Sequence, residues 1–227
     1  MHQNTNALVL IPAFNEEGRV SFVIRECKKY FQNVLVIDDG SNDGTLKEIM
    51  EANPNIVLKH CVNCGQGTAI NTGINFFLKK TNLDYLVTLD ADTQHNPQHA
   101  RNMLNYAIYN NLHVVFGSRF LNKDKRINIS IHKQITLKLA ILFERFIFGI
   151  SLTDSHNGMR VISRKACSEL SNLDSSSMAH ATEIPFKLKR ANYIINEFNT
   201  QIDYGINKKS QSIFSSLNII SDLIQRK

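Results

Sequence analysis

Two carboxylates spaced i, i+2 close an apolar run in Leu86-Val87-Thr88-Leu89-Asp90-Ala91-Asp92-Thr93-Gln94-His95-Asn96-Pro97. Such a run reads as a buried strand, and the exit of that strand is where open α/β sheets place ligands. Asp90 and Asp92 offer hard oxygen ligands, with the polar Gln94 close behind. This set suits Mg²⁺ or Mn²⁺, ions usually completed by phosphate oxygens of a substrate. For an isolated Asp-x-Asp, an Asp-rich turn is the plainer explanation. The neighbouring segments decide against it here.

Two further strand exits carry similar chemistry. Ile11-Pro12-Ala13-Phe14-Asn15-Glu16-Glu17 follows the first apolar run, and Asp38-Asp39-Gly40-Ser41-Asn42-Asp43-Gly44-Thr45 follows the second. Glycines in the second loop permit tight turns and close ligand approach. Ser41 or Asp43 suits the cap of the following helix. Two consecutive aspartates exceed what capping needs, and a carboxylate there can accept from ribose hydroxyls or a base N–H. A third loop, Asn63-Cys64-Gly65-Gln66-Gly67-Thr68, precedes a helix whose first turn could face phosphate, although a helix start with no ligand fits equally well. It is not the dinucleotide fingerprint, because Ile70 fills the last glycine position, and no P-loop is present.

The elements that position these loops alternate. Strands are expected at Ala7–Ile11, Val34–Ile37, Ile56–His60, Tyr85–Leu89 and Val114–Gly117. Helices are expected at Gly18–Phe31, Thr45–Ala52, Thr68–Lys80 and Pro97–Asn110. This order predicts an α/β fold with a mostly parallel sheet flanked by helices. Short apolar strands such as Val34-Leu35-Val36-Ile37 suit a sheet buried on both faces. The second half is less regular. Ile131–Phe148 reads as a helix with a broad apolar face, Ala181–Arg190 as a helix, Tyr193–Phe198 as a strand and Ser215–Gln225 as a terminal amphipathic helix. With 227 residues and no repeat or linker, one domain is expected. It divides into a regular half of about 1–120 and a less regular half of about 121–227.

Composition narrows the function classes. Hydrophobic residues make up 43% and net charge is +6 with a pI of about 9.1, so the chain is globular and moderately basic. The basic residues are dispersed, which argues against nucleic acid as a partner. No signal peptide and no uninterrupted spanning segment are read in the sequence. Cys61 and Cys64 form a lone C-x-x-C. A zinc site would normally need a second pair, and a redox motif between a strand and a helix is the alternative, so the two read first as ordinary reduced thiols.

Taken together, Ile11–Glu17, Val36–Thr45, Asn63–Gly73, Leu89–Pro97 and Gly117-Ser118-Arg119-Phe120 resemble, in order and spacing, the family-2 glycosyltransferases of the GT-A fold. The branch most resembled is the dolichyl- or polyprenyl-phosphate sugar synthases. Gln94-His95 with Pro97 points there, as does Asp154-Ser155-His156-Asn157-Gly158-Met159-Arg160. The resemblance implies that Pro12, Phe14, Glu16, Ile37 and Asp39 line the nucleotide pocket, with Phe14 in place of a frequent tyrosine. It implies that Asp90, Asp92 and Gln94 hold Mg²⁺ or Mn²⁺ and that Ala91 lies against the nucleotide sugar. Arg119 would reach a phosphate, for which a guanidinium fork is suited. Asp154 and Arg160 would sit near the acceptor. Met178–Ile184 and Tyr204–Ser212 resemble segments of bacterial surface-polysaccharide enzymes, with Lys208 and Lys209 as candidates to close over the donor phosphates.

The implied reaction is inverting attack on the anomeric carbon with a nucleoside diphosphate leaving. A polyprenyl phosphate acceptor is already an anionic nucleophile. A glycan hydroxyl would need a base, for which Asp154 or Glu183 could serve. A lipid acceptor implies peripheral contact with the inner face of the plasma membrane. Ile131–Phe148 and the nearby Lys123, Lys125, Arg126 and Lys133 are the candidates for that contact. Related enzymes often carry C-terminal spanning helices, so a small integral-membrane partner is expected here. A sugar-nucleotide pyrophosphorylase is disfavoured, because Pro12–Glu17 is not the glycine- and arginine-rich loop of that class. A non-catalytic binding protein is disfavoured by the intact Asp90, Asp92 and Gln94 set.

Overall fold

The computed structural model describes residues 6–121, 152–154, 157–176 and 179–200. The helices expected at 131–148 and 215–225, and Lys208 and Lys209, lie outside them.

Strand β1 (Ala7–Ala13) is buried along its whole length, so its alternating side chains feed two cores. Ala7, Val9 and Ile11 face one side with Val34, Val36, Val87 and Val161. Leu8 and Leu10 face the other with Leu35, Ile37, Leu86 and Ile162. This period-two division is what a sheet covered on both faces requires. Helix α1 (Val20–Tyr30), α2 (Thr45–Ala52) and α4 (Pro97–Tyr109) cover the first face, and α3 (Gln66–Lys80) and α6 (His180–Arg190) the second.

The remaining strands are β2 (Asn33–Asp38), β3 (Ile56–Lys59), β4 (Tyr85–Thr88), β5 (Val114–Ser118), β6 (Arg160–Ser163) and β7 (Asn196–Asn199). A short helix α5 (Arg164–Cys167) follows β6. The sheet order is β3-β2-β1-β4-β6-β5-β7. All pairings are parallel except those of β6, which runs antiparallel between β4 and β5. The mostly parallel α/β expectation therefore holds, and α2 falls at the expected residues. Helix α1 begins at Val20 instead of Gly18, because residues 16–20 form a turn in which Arg19 and Val20 N–H both donate to Glu16 C=O. Helix α4 starts where its sequence says: Asn96 accepts from Gln98 N–H, with Pro97 in the first turn.

Strand β6 was not expected, since it is four residues long and begins with an arginine. Its exit is tied down by Arg164, whose guanidinium donates to the carbonyls of Phe77, Leu78, Thr81 and Leu83. It also lies 4.4 Å from the Phe77 ring centroid. A cation there serves the carbonyls at the C-terminus of α3, where Phe77 C=O also accepts from the Thr81 hydroxyl. Arg164→Ala is expected to cost about 3 kcal/mol, read as a lowered urea midpoint, because several charge-assisted bonds vanish together. An unchanged midpoint would contradict this.

Candidate active site

The strand order runs outward from β1 in both directions, so the chain exits of β1 and β4 diverge and leave a crevice at their C-terminal ends. Because β6 is antiparallel, its first residue meets the last of β4: Arg160 pairs with Thr88, and across β5 with Phe116. The aspartates after β2 and β4, Arg119 after β5 and Arg160 thus share one edge.

Asp90 is the most constrained carboxylate there. Its Oδ1 accepts from Gln66 Nε2 at 3.0 Å, and its Oδ2 lies 3.4 Å from His95 Nε2. A Cβ at residue 158 would lie 2.1 Å from Asp90 Oδ2, so only glycine lets the carboxylate rest there. Burial works to raise the Asp90 carboxyl. The His95 hydrogen bond and the charges of His95, Arg160 and His180 outweigh it and hold the group below its ordinary range. Asp92, two residues on, accepts from Gln94 N–H at 3.0 Å across a turn in which Thr93 has φ +68°. Burial, then the Asp90 charge, pushes the Asp92 carboxyl up. Glu16 is also raised. Burial is the main cause, Arg19 opposes it, and Asp92, Asp90 and Asp43 add to it. Asp90 raises Asp92 and both raise Glu16, so negative charge is concentrated on hard oxygens, and a divalent cation would relieve it. The donor set therefore fits Mg²⁺ or Mn²⁺. Gln94 contributes its backbone N–H to Asp92.

The β2 exit is organised differently from expectation. Asp39 is buried, and its Oδ1 accepts from Cys64 N–H and meets His60 Nδ1, while Oδ2 accepts from Gly65 N–H. It clamps the loop before α3. Asp38 Oδ2 is buried with no hydrogen-bond partner among the described residues. Asp43 accepts from Thr45 N–H just before α2, but the N-cap expected to be Asp43 or Ser41 is Gly44, with no side-chain cap bond. Pro12 and Ile37 pair in register on neighbouring strands. Phe14 is exposed at the β1 exit, and Ala91 is buried between Asp90 and Asp92. At the start of α3, Gly67 N–H donates to Ser176 C=O, and a Cβ at residue 67 would lie 2.0 Å from Ser175 C=O. That amide is taken by the protein itself and does not face a phosphate.

Beyond the β5 exit, Asp154 grips Arg119 through both oxygens, at 2.6 Å to Nε and 2.6 Å to Nη2. Arg160 is 1% exposed, and its Nε and Nη1 have no hydrogen-bond partner among the described residues. Burial lowers its pKa to about 10, while Asp90 and Asp154 pull it back up, so it is charged at neutral pH. Glu183 does not join this cluster as a base. Its two oxygens accept from Asp174 and Ser175 N–H at 2.7 and 2.8 Å, and Lys187 lies 2.9 Å away. Burial works to raise Glu183, and these bonds outweigh it and lower it below 4.5. Its stabilisation is therefore present above the unfolded value and lost as pH falls through the folded one. Glu183→Gln is expected to lower stability at neutral pH, with the gap to wild type closing as pH falls below the ordinary glutamate range and through the lowered folded value. A gap that stays constant down to pH 3 in urea unfolding would contradict the assignment.

Gln66, Gly158 and His180 were missed as site residues. Gln66 and Gly158 lay inside segments already singled out, but neither spacing nor residue type says that they meet Asp90.

An open, mostly parallel α/β sheet with aspartates gathered at its strand exits is the architecture of a GT-A glycosyltransferase. The chain belongs to glycosyl transferase family 2, whose family model matches residues 8–171. It is 33% identical over 184 residues to a UDP-N-acetylglucosamine–dolichyl-phosphate N-acetylglucosaminyltransferase of Methanococcus voltae, covering 72% of this chain and 71% of that one. It is 26% identical over 219 residues to the polyprenol monophosphomannose synthase of Mycolicibacterium smegmatis, covering 90% and 81%. The fold matches glucosyl-3-phosphoglycerate synthase of Mycobacterium tuberculosis, solved with Mn²⁺, UDP and phosphoglyceric acid. The TM-score is 0.73 at 16% identity, over 98% of this chain and 78% of that one. Among the described residues no helix is long and apolar enough to cross a membrane.

Proposed function

We propose that this glycosyltransferase moves a sugar from a nucleoside-diphosphate sugar to a polyprenyl phosphate, with inversion and with Mg²⁺ or Mn²⁺. The observation that carries the reading is the buried, charged Arg160 with two N–H groups left without partners beside the Asp90 cluster. A buried guanidinium in that state calls for an anion, and a phosphate oxygen supplies the missing acceptors. The named activities of the Methanococcus and Mycolicibacterium relatives support the same acceptor class.

In this reading Asp90 and Asp92 hold the metal, with Gln94 beside them and Glu16 adding negative charge. The bound ion would neutralise charge developing on the departing diphosphate. Pro12, Phe14, Glu16, Ile37 and Asp39 line the base and ribose pocket, and Ala91 packs against the sugar nucleotide. Arg119, held by Asp154, reaches the phosphate of donor or acceptor, and Arg160 binds the acceptor phosphate. The chain works as one domain on the cytoplasmic face of the membrane, alone or with a small integral-membrane protein.

Transfer to a glycan hydroxyl is the second reading, and it needs a general base. Asp154 is committed to Arg119 and Glu183 to the 174–175 backbone. Both carboxylates are poorly placed to accept a proton, which favours an acceptor already ionised.

Calorimetric titration with nucleoside diphosphates tests the donor half. Binding is expected with Mn²⁺ present and is expected to weaken by more than about tenfold with EDTA, since a metal held by Asp90 and Asp92 would offset the charge of the diphosphate. Equal affinity in both conditions would remove the metal from the reading.

A further inference from the structure

We propose a second, thiolate-containing metal site in which Asp39, His60 and Cys64 bind a borderline-soft divalent ion such as Zn²⁺. One ligand atom from each residue lies within 4.8 Å of the others, and the three come from the β2 exit, the β3 exit and the loop before α3. Carboxylate, imidazole and thiol together are a zinc donor set, whereas the Asp90 cluster offers only oxygen to Mg²⁺ or Mn²⁺.

The outer contacts already orient two of the three ligands. His60 Nε2 lies 2.9 Å from Thr72 Oγ1, which leaves Nδ1 as the inward atom. Asp39 Oδ2 accepts from Gly65 N–H at 2.7 Å, which leaves Oδ1 facing His60 Nδ1 at 2.6 Å. Partners of this kind fix ring orientation and tautomer at metal sites. Zinc–ligand distances of about 2.0–2.3 Å put tetrahedral neighbours about 3.3–3.8 Å apart. Nδ1 and Oδ1 must therefore separate by less than about 1 Å, and the exposed Cys64 thiol must turn inward.

The protons balance within the site. The Nδ1 proton that bridges to Asp39 leaves, and Nε2 takes one up and donates it to Thr72 Oγ1, so the imidazole stays neutral. The Cys64 thiol releases its proton to solvent as the metal–sulfur bond forms. Water fills the fourth position. The lone C-x-x-C is thus read differently in three dimensions: its second thiol finds an imidazole and a carboxylate where the sequence offered no second cysteine pair.

Asp39 belongs to the donor pocket proposed above, so on that reading zinc here competes with the nucleotide and throttles the enzyme.

Cobalt(II) is the probe, because thiolate-to-cobalt charge transfer gives a near-ultraviolet band that an all-oxygen site cannot produce. The full-length reduced chain is expected to develop the band at one equivalent of Co²⁺ and to lose it on adding Zn²⁺. The band should persist in Asp92→Asn and Cys61→Ser and vanish in Cys64→Ser. No band in the wild type, or an undiminished band in Cys64→Ser, overturns the site. In a second arm, one equivalent of Zn²⁺ should weaken UDP binding in Mn²⁺ by more than about tenfold in the wild type and not in Cys64→Ser. If the band behaves as expected and UDP binding is untouched, the metal site stands, and the placement of Asp39 in the donor pocket is what fails.

Discussion

Asp92→Asn is expected to reduce sugar transfer by about a thousandfold or more while leaving the fold unchanged. The substitution keeps size and the Asx-type contact to Gln94 N–H, so the turn after β4 survives. It removes one of the negative charges that push Glu16 upward. A stability cost is therefore not expected, and relief of repulsion points toward a small gain. What is lost is an anionic oxygen for the divalent ion, and withdrawing that charge stabilisation is worth several kcal/mol of barrier, about 4 kcal/mol for a thousandfold effect. Thermal unfolding and transfer rate measured on one preparation check both halves. Activity within tenfold of wild type would remove Asp92 from the metal assignment.

Arg160→Met is expected to lower both activity and stability, with the activity loss the larger. Methionine fills much of the same volume without a charge, and no hydrogen bond from Nε or Nη1 is lost among the described residues. The charges of Asp90 and Asp154 beside it lose their buried counter-ion, so a stability cost of about 3 kcal/mol is expected. Transfer is expected to fall at least about a hundredfold, because a donor aimed at a phosphate is removed from a water-poor site. The loss should appear as a raised KM for the acceptor as well as a lowered kcat, with donor binding little altered. A variant that unfolds while any folded fraction keeps full activity would mean that Arg160 only supports the sheet.

The fold of the first half was legible because its signals are local. The Val34-Leu35-Val36-Ile37 run, the Asn96-Pro97 helix start and the alternation of strand and helix need no knowledge of distant residues. Strand β6 was not legible, since four residues headed by an arginine carry little strand signal, and the partners that make them a strand lie on β4 and β5. The site divides in the same way. Asp90 and Asp92 stand out by type, spacing and position after an apolar run. Gln66 and Gly158, which hold Asp90 in place, reach it from 24 and about 70 residues away in the chain, a meeting that only the tertiary structure supplies. Glu183 was legible as an acidic residue in a suggestive segment, but not as the anchor of the 174–175 backbone. Cys61 and Cys64 were legible as a thiol pair, and the convergence of Asp39 and His60 on Cys64 was not.

The measurement that bears most directly on the account is a transfer assay. Purified protein with Mn²⁺ and a panel of labelled nucleotide sugars is incubated with and without undecaprenyl phosphate in detergent, and label is followed into the organic phase. Label that enters that phase from one donor, only when the lipid phosphate is present and only with metal, is the predicted result. Release of nucleoside diphosphate that depends on added glycan and is indifferent to lipid phosphate, with no organic-phase label, would contradict it.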